Sequence, residues 1–148
     1  QAIDPYMSQD DNGRIDSRVH TGTANFAAYL ALPDAIDLHQ RIGVANKRAR
    51  LLHLRNRWTE AARAMPHIEV LASPDAELSS ALASFRLCGK PGVADNQALQ
   101  KRLLEEFNIF TAWRDGLASG ACVRVTPSLF TRVAQVDALV DALARLRG

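Results

Sequence analysis

The stretch Asn108 to Leu143, NIFTAWRDGLASGACVRVTPSLFTRVAQVDALVDAL, holds the pattern that decides the fold. It reads as strand, turn, strand and helix in succession. Asn108 to Trp113 and Ala121 to Thr126 are short runs rich in β-branched and apolar residues, and the intervening Arg114 to Gly120 is rich in turn formers. In the second run Ala121, Val123 and Val125 alternate with Cys122, Arg124 and Thr126, which makes one face apolar and the other polar. From about Thr131 the period lengthens. Val133, Val136, Leu139, Val140 and Leu143 recur every three or four residues, on one side of a helix. Two-faced strands followed by a one-faced helix predict a small sheet covered by helices on a single face.

The preceding residues repeat the theme. Asp95 is placed to cap a helix to Phe107 whose inner face is Ala98, Leu99, Leu103 and Phe107. Ile68 to Ala72 and Ser80 to Cys88 read as two further strands, the second with Ala81, Ala83, Phe85 and Leu87 on one face. Gly89, Lys90, Pro91 and Gly92 form the turn that follows. Before Pro66 the pattern is helical. Thr23 to Leu32 is stopped by Pro33, Asp34 to Ile42 is closed by Gly43, and Val44 to Met65 has Val44, Leu51, Trp58 and Met65 spaced by seven. The expected fold is therefore α+β: three helices, then β-β-α-β-β-α, with a mainly antiparallel sheet. Residues 1–21 form an irregular polar segment, residues 22–66 a helical connection, and residues 67–148 the small α+β domain.

Composition narrows the function classes. With 47% hydrophobic and 23% charged residues, the 148-residue chain has the make-up of a folded domain rather than a disordered one. A net charge of +2 is too small to point to nucleic acid or membrane by bulk electrostatics. No apolar run is long enough to span a membrane, and the polar opening QAIDPYMSQDDNGRIDS does not read as a signal peptide. The chain begins at Gln1 without an initiator methionine, as a trimmed or processed piece of a longer chain would. Cys88 and Cys122 fall in apolar strand-like runs and are expected as buried free thiols in a reducing, cytoplasmic setting. They lack metal-ligand spacing, so no metal site is expected.

Three features could carry chemistry. Thr21-Gly22-Thr23-Ala24-Asn25 opens a helix, where free N–H groups, a glycine and flanking hydroxyls suit a phosphate-type anion. A helix cap by threonine explains the same residues without a ligand. His20 stands just before the motif and could approach a ligand there. Arg124 projects from the polar face of its strand, where a planar guanidinium can grip a carboxylate with two hydrogen bonds; the plainer and favoured reading is a cross-strand ion pair. In the long helix, Arg48 and Arg55 fall within the apolar arc of Val44, Leu51, Leu52 and Trp58, which suggests buried stems with paired heads near an interface. Lys47, Arg50, Arg57 and Arg63 would invite a nucleic-acid reading, but they are spread around the cylinder without interleaved aromatics. His39, His53 and His67 read as surface or loop residues.

The stretch TGTANFAAYLALPDAIDLHQRIG resembles a segment of the class V aminotransferases, including the isopenicillin N epimerase-like and cysteine desulfurase-like groups, that carries Gly-Thr before a helix. NIFTAWRDGLASGACVRVTPSLFTRVAQVDALVDAL resembles their closing strand, turn and helix. The resemblance runs from about residue 18 to near the end of the chain, and its motifs are short. It implies the small carboxy-terminal domain of the aspartate-aminotransferase-like fold, with pyridoxal 5'-phosphate as cofactor. The activity implied is that of an epimerase, transaminase or desulfurase/lyase acting on an amino acid, in a homodimer with no nucleic-acid or membrane partner. It assigns Gly22 and Thr23 to the cofactor phosphate, commonly across the dimer interface, and Arg124 to the substrate carboxylate. The residues that hold the pyridine ring belong to an upstream large domain that is missing here, so no catalytic residue is expected in this chain.

The lysines agree with that expectation. A Schiff-base lysine needs a desolvated or cation-flanked amine beside the reacting centre. Lys47 lies in the basic run Lys47-Arg48-Ala49-Arg50, Lys90 in a Gly-Lys-Pro-Gly turn, and Lys101 in a polar stretch. The chain alone is expected to be inactive. The competing reading is a non-catalytic α+β ligand-binding or regulatory module in which Arg124 grips an effector carboxylate.

Overall fold

The computed structural model describes Thr23, residues 25–75 and residues 77–146. The chain divides into two compact units, residues 1–41 and 42–148. In the first lie α1 (Phe26–Leu30) and nearly all of α2 (Leu32–Ile42). Pro33 does not stop a helix, as the sequence suggested; it stands in the first turn of α2, where the missing N–H removes no hydrogen bond. Neither helix has a buried residue. Phe26, Tyr29, Leu30, Leu32, Ile36 and Leu38 are all exposed.

The second unit contains α3 (Val44–Arg63), β1 (Ile68–Val70), β2 (Ala83–Leu87), α4 (Val93–Phe107), β3 (Ala112–Arg114), β4 (Cys122–Val125) and α5 (Val133–Arg145). The strands form one antiparallel sheet in the order β1-β2-β4-β3. The α+β class is the expected one, though each strand is shorter than its apolar run. Ile68, Ala83, Phe85 and Val123 give the sheet its apolar face. Leu54, Trp58 and Ala62 of α3, Leu99 and Leu103 of α4, and Val136, Leu139 and Leu143 of α5 join them in one core. Trp58 meets Phe85 edge-to-face, with ring centroids 5.8 Å apart.

Several expectations are corrected. The buried stripe of α3 is Leu54, Trp58 and Ala62, spaced by four in the carboxy-terminal half; Val44 is exposed. Spacing by four follows one face of a real helix over two turns. Arg48 is exposed, whereas Arg55 is buried. Helix α4 is capped by Gly92, with Asp95 in its first turn. Its inner face carries Asn96 in place of the exposed Ala98, and the Asn96 Nδ2 donates to the carbonyls of Lys90 and Gly92 at 3.0 and 2.9 Å. Cys122 is buried, but Cys88 lies beyond the end of β2 and is exposed. Gly120 is required where it stands: at φ +104° a Cβ would lie 2.6 Å from Pro91 Cβ and 2.7 Å from its carbonyl oxygen. Among the described residues, no helix is long and apolar enough to cross a membrane, and no His/Cys/Asp/Glu group could hold a metal ion.

Candidate functional site

The sheet face turned from the core is built by the residues that alternate with Phe85 and Val123. Pairing sets Glu69 opposite Arg86 in one row and Ser84, Arg124 and Ala112 side by side in the next. Continuing the same register brings Cys122 opposite Arg86, with Arg114 on its other side. Three arginines thus share a face with one carboxylate.

Arg86 takes that carboxylate. Its Nε and Nη2 donate to Glu69 Oε2 and Oε1 at 2.7 and 2.9 Å, and its Nη1 donates to the Ser119 carbonyl at 2.6 Å. The bidentate contact holds the Glu69 carboxyl below its ordinary pKa and the Arg86 guanidinium above its own. Arg114 is exposed and donates to the Trp113 carbonyl.

Arg124 is different. Its cross-strand neighbours are Ser84 and Ala112, so neither strand offers a carboxylate for the ion pair that the sequence favoured. The residue is half-buried, and its Nε is shielded from solvent without a hydrogen-bond acceptor. Among the described residues no ion pair reaches it. A shielded guanidinium donor without a partner is costly unless something accepts from it.

Of the stretch from Thr21 to Asn25, only Thr23 and Asn25 are described. Gly22, Thr21, Ala24 and His20 lie outside the described residues. Thr23 is exposed at a bend ahead of α1. The helix cap is Asn25, whose Oδ1 accepts from the Ala28 N–H at 3.2 Å, so threonine does not make it. Thr23 and Arg124 belong to different compact units. The Lys90 amine stands 3.7 Å from Asp95, and the Lys101 amine 3.8 Å from Glu105, all four side chains largely exposed.

Sequence reasoning missed Glu69 and Ser84 as the residues that decide how the arginines differ. Alternation in Ala83 to Leu87 could have placed Ser84 and Arg86 on one face. No local signal pairs β2 with β4, which are separated in the chain by α4 and β3.

No family model matches the chain. It is 29% identical to the isopenicillin N epimerase of Streptomyces clavuligerus over 86% of its own length and 31% of that protein. It superposes on the cystine C–S lyase C-DES, solved with glycine covalently linked to its PLP cofactor, with a TM-score of 0.65 and 25% identity, over 87% of this chain and 31% of that one. The chain has part of a class V aminotransferase-like fold. The alanine–glyoxylate aminotransferase of a Nostoc species gives a TM-score of 0.58 at 26% identity, over 86% of this chain and 33% of that one. The chain spans about a third of the length of the curated relatives it matches.

Proposed function

We propose that the chain is the carboxy-terminal part of a pyridoxal-phosphate enzyme that acts on an amino acid by epimerisation, transamination or a desulfurase/lyase step. In this reading Arg124 holds the substrate carboxylate. The observation that carries it is the shielded Arg124 Nε without an acceptor, on a sheet face whose one carboxylate is already bound by Arg86. The cofactor, when bound, supplies an electron sink for the substrate's reacting carbon. This chain's part is to bind and to orient. A two-point guanidinium–carboxylate contact fixes the plane of the carboxylate and so limits rotation of the bond to the reacting carbon.

Gly22 and Thr23 are the proposed phosphate contacts. The Thr23 hydroxyl fits that role because Asn25 makes the helix cap in its place. Residues 1–21 would then close a large upstream domain, 22–66 connect it, and 67–148 form the small domain, with α3 packed into the small domain's core. The upstream domain would supply the lysine that binds the cofactor covalently; Lys90 and Lys101 of this chain stand near exposed carboxylates. A cytoplasmic homodimer completes the reading.

The test uses the chain joined to its upstream domain. Arg124→Ala should weaken amino-acid binding by about 30- to 700-fold, equivalent to about 2–4 kcal/mol for a lost charge-assisted contact, and leave cofactor absorbance unchanged. Thr23→Ala should loosen the cofactor and spare the amino-acid site. Carboxylate binding that persists when no cofactor is retained would instead favour the regulatory-module reading.

A further inference from the structure

Among the described residues a second arginine is also without a carboxylate partner, and it lies on a different element, α3. Arg55, on α3, is 3% exposed. Its Nη1 donates to Asn56 Oδ1 at 2.8 Å and its Nη2 to the Ser73 carbonyl at 2.5 Å. Both acceptors are neutral. The Nε is buried with no acceptor, and among the described residues no carboxylate comes within ion-pair distance. The nearest charges do not compensate it. Burial lowers the Arg55 pKa most, the positive Arg63 lowers it further, and Glu60 opposes them least. Burying a charge without a counter-ion is among the costlier arrangements a fold can hold.

The surroundings suit an anion. Arg55 lines a cleft of about 230 Å³ where the chain leaves β1 and enters β2, and Ser73, Ser79, Ser80 and Ser84 line it too. With about 30 Å³ per water molecule in the liquid, the cleft has room for a small oxyanion and a few waters. The Ser73 and Ser80 hydroxyls accept from the Asp75 and Leu82 N–H groups, which leaves each hydroxyl proton to donate elsewhere. Arg63, at the end of α3, donates to the Ala72 carbonyl in the same loop and adds positive charge nearby.

We infer that this cleft binds a small oxyanion, of carboxylate or phosphate type, with the Arg55 guanidinium as its charged anchor and the Ser73 and Ser80 hydroxyls as neutral donors. The site has a charged anchor other than Arg124, although Ser84, which lines the cleft, pairs with Arg124 across the sheet. The two arginines lie on different elements, and either anion site can fail alone.

The experiment follows the Arg55 Nε–H proton by NMR in this 148-residue chain, titrated with sodium phosphate or sodium acetate at fixed ionic strength. A saturable shift at Arg55 is expected, persisting in Arg124→Gln. Saturation by acetate alone assigns a carboxylate, and saturation by phosphate alone assigns a phosphate. Arg55→Gln should abolish saturable shifts in the loop amides. If that variant does not fold, Ser80→Ala, at an exposed position, should raise the apparent Kd about three- to tenfold, the worth of one neutral hydrogen bond. Shifts that stay linear with both anions would overturn the inference. So would an unchanged Kd in Ser80→Ala, or saturation that disappears in Arg124→Gln.

Discussion

Arg86 and Arg124 are neighbours on one sheet face, yet their removal should have opposite consequences for stability. Arg86 has three acceptors: both Glu69 oxygens and the Ser119 carbonyl. Breaking a buried ion pair costs about 3–5 kcal/mol. Here the Arg86 side chain is 7% exposed but Glu69 is 42% exposed, and solvent screening reduces the figure to about 1–3 kcal/mol for Arg86→Met. Arg124→Met loses no described hydrogen bond or ion pair and removes a shielded, unaccepted Nε–H. An unsatisfied buried donor costs about 1–3 kcal/mol, and its replacement by a side chain of similar length should be neutral or stabilising by up to about 1 kcal/mol. The assay is urea unfolding of this chain at neutral pH, followed by circular dichroism. With a slope of about 1–2 kcal/mol per molar, the Arg86→Met midpoint should fall by about 1 M, and the Arg124→Met midpoint should hold or rise. A loss on Arg124→Met as large as that on Arg86→Met would refute the reasoning, because Arg124 would then be a structural residue with partners.

Two further outcomes are expected. The Glu69 carboxyl is held below its ordinary pKa by Arg86, so its stabilising contribution is complete above the unfolded-state value and is lost as pH falls through the folded one; Glu69→Gln should flatten the acid limb of a plot of urea midpoint against pH, and a limb as steep as wild type would reject the link. Exposed Phe26, Tyr29 and Leu30 on α1, with Leu32, Ile36 and Leu38 on α2, should drive self-association that Leu30→Ser combined with Phe26→Ser reduces; sedimentation as a clean monomer at high concentration would count against it.

The sequence made the layering legible because the closing strand and helix differ so plainly in period. Val123 against Arg124, and Val136 with Leu139 and Leu143, are local alternations that need no distant partner. Helix α3 misled for a physical reason. A seven-residue spacing from Val44 to Met65 presumes one continuous seam, but only the carboxy-terminal half lies on the sheet, and Val44 is left exposed. Asp95 was a plausible cap, yet the chain already turns at Gly92, and a Cβ there would lie 2.8 Å from the Asp95 carboxylate. Arg124 was legible as a position on the polar face. Its lack of a partner was not, because that depends on Ser84 and Ala112, brought beside it by strand pairing across α4 and the β3–β4 turn. Cys88 looked like Cys122 by composition alone; it lies just beyond the last paired residue of β2 and faces solvent.

Arginines in this unit are best sorted by what accepts from them. Arg57 reaches the Asp137 carboxylate on α5, and Arg86 reaches Glu69. Each ties two elements together by a bidentate contact, so their geometry is accounted for within the chain. Arg55 and Arg124 each keep a shielded Nε–H with no acceptor. For Arg124, which makes no described hydrogen bond, folding alone gives no reason to keep the charge; Arg55 does tie α3 to the Ser73 carbonyl, yet it buries its charge on neutral acceptors alone. A group that lowers stability and is nonetheless held in place by a packed helix or a paired strand is suited to binding something from outside. Arg124 meets that description without any appeal to the resemblance to pyridoxal-phosphate enzymes, and so does the buried Nε of Arg55, to which the resemblance assigns no role.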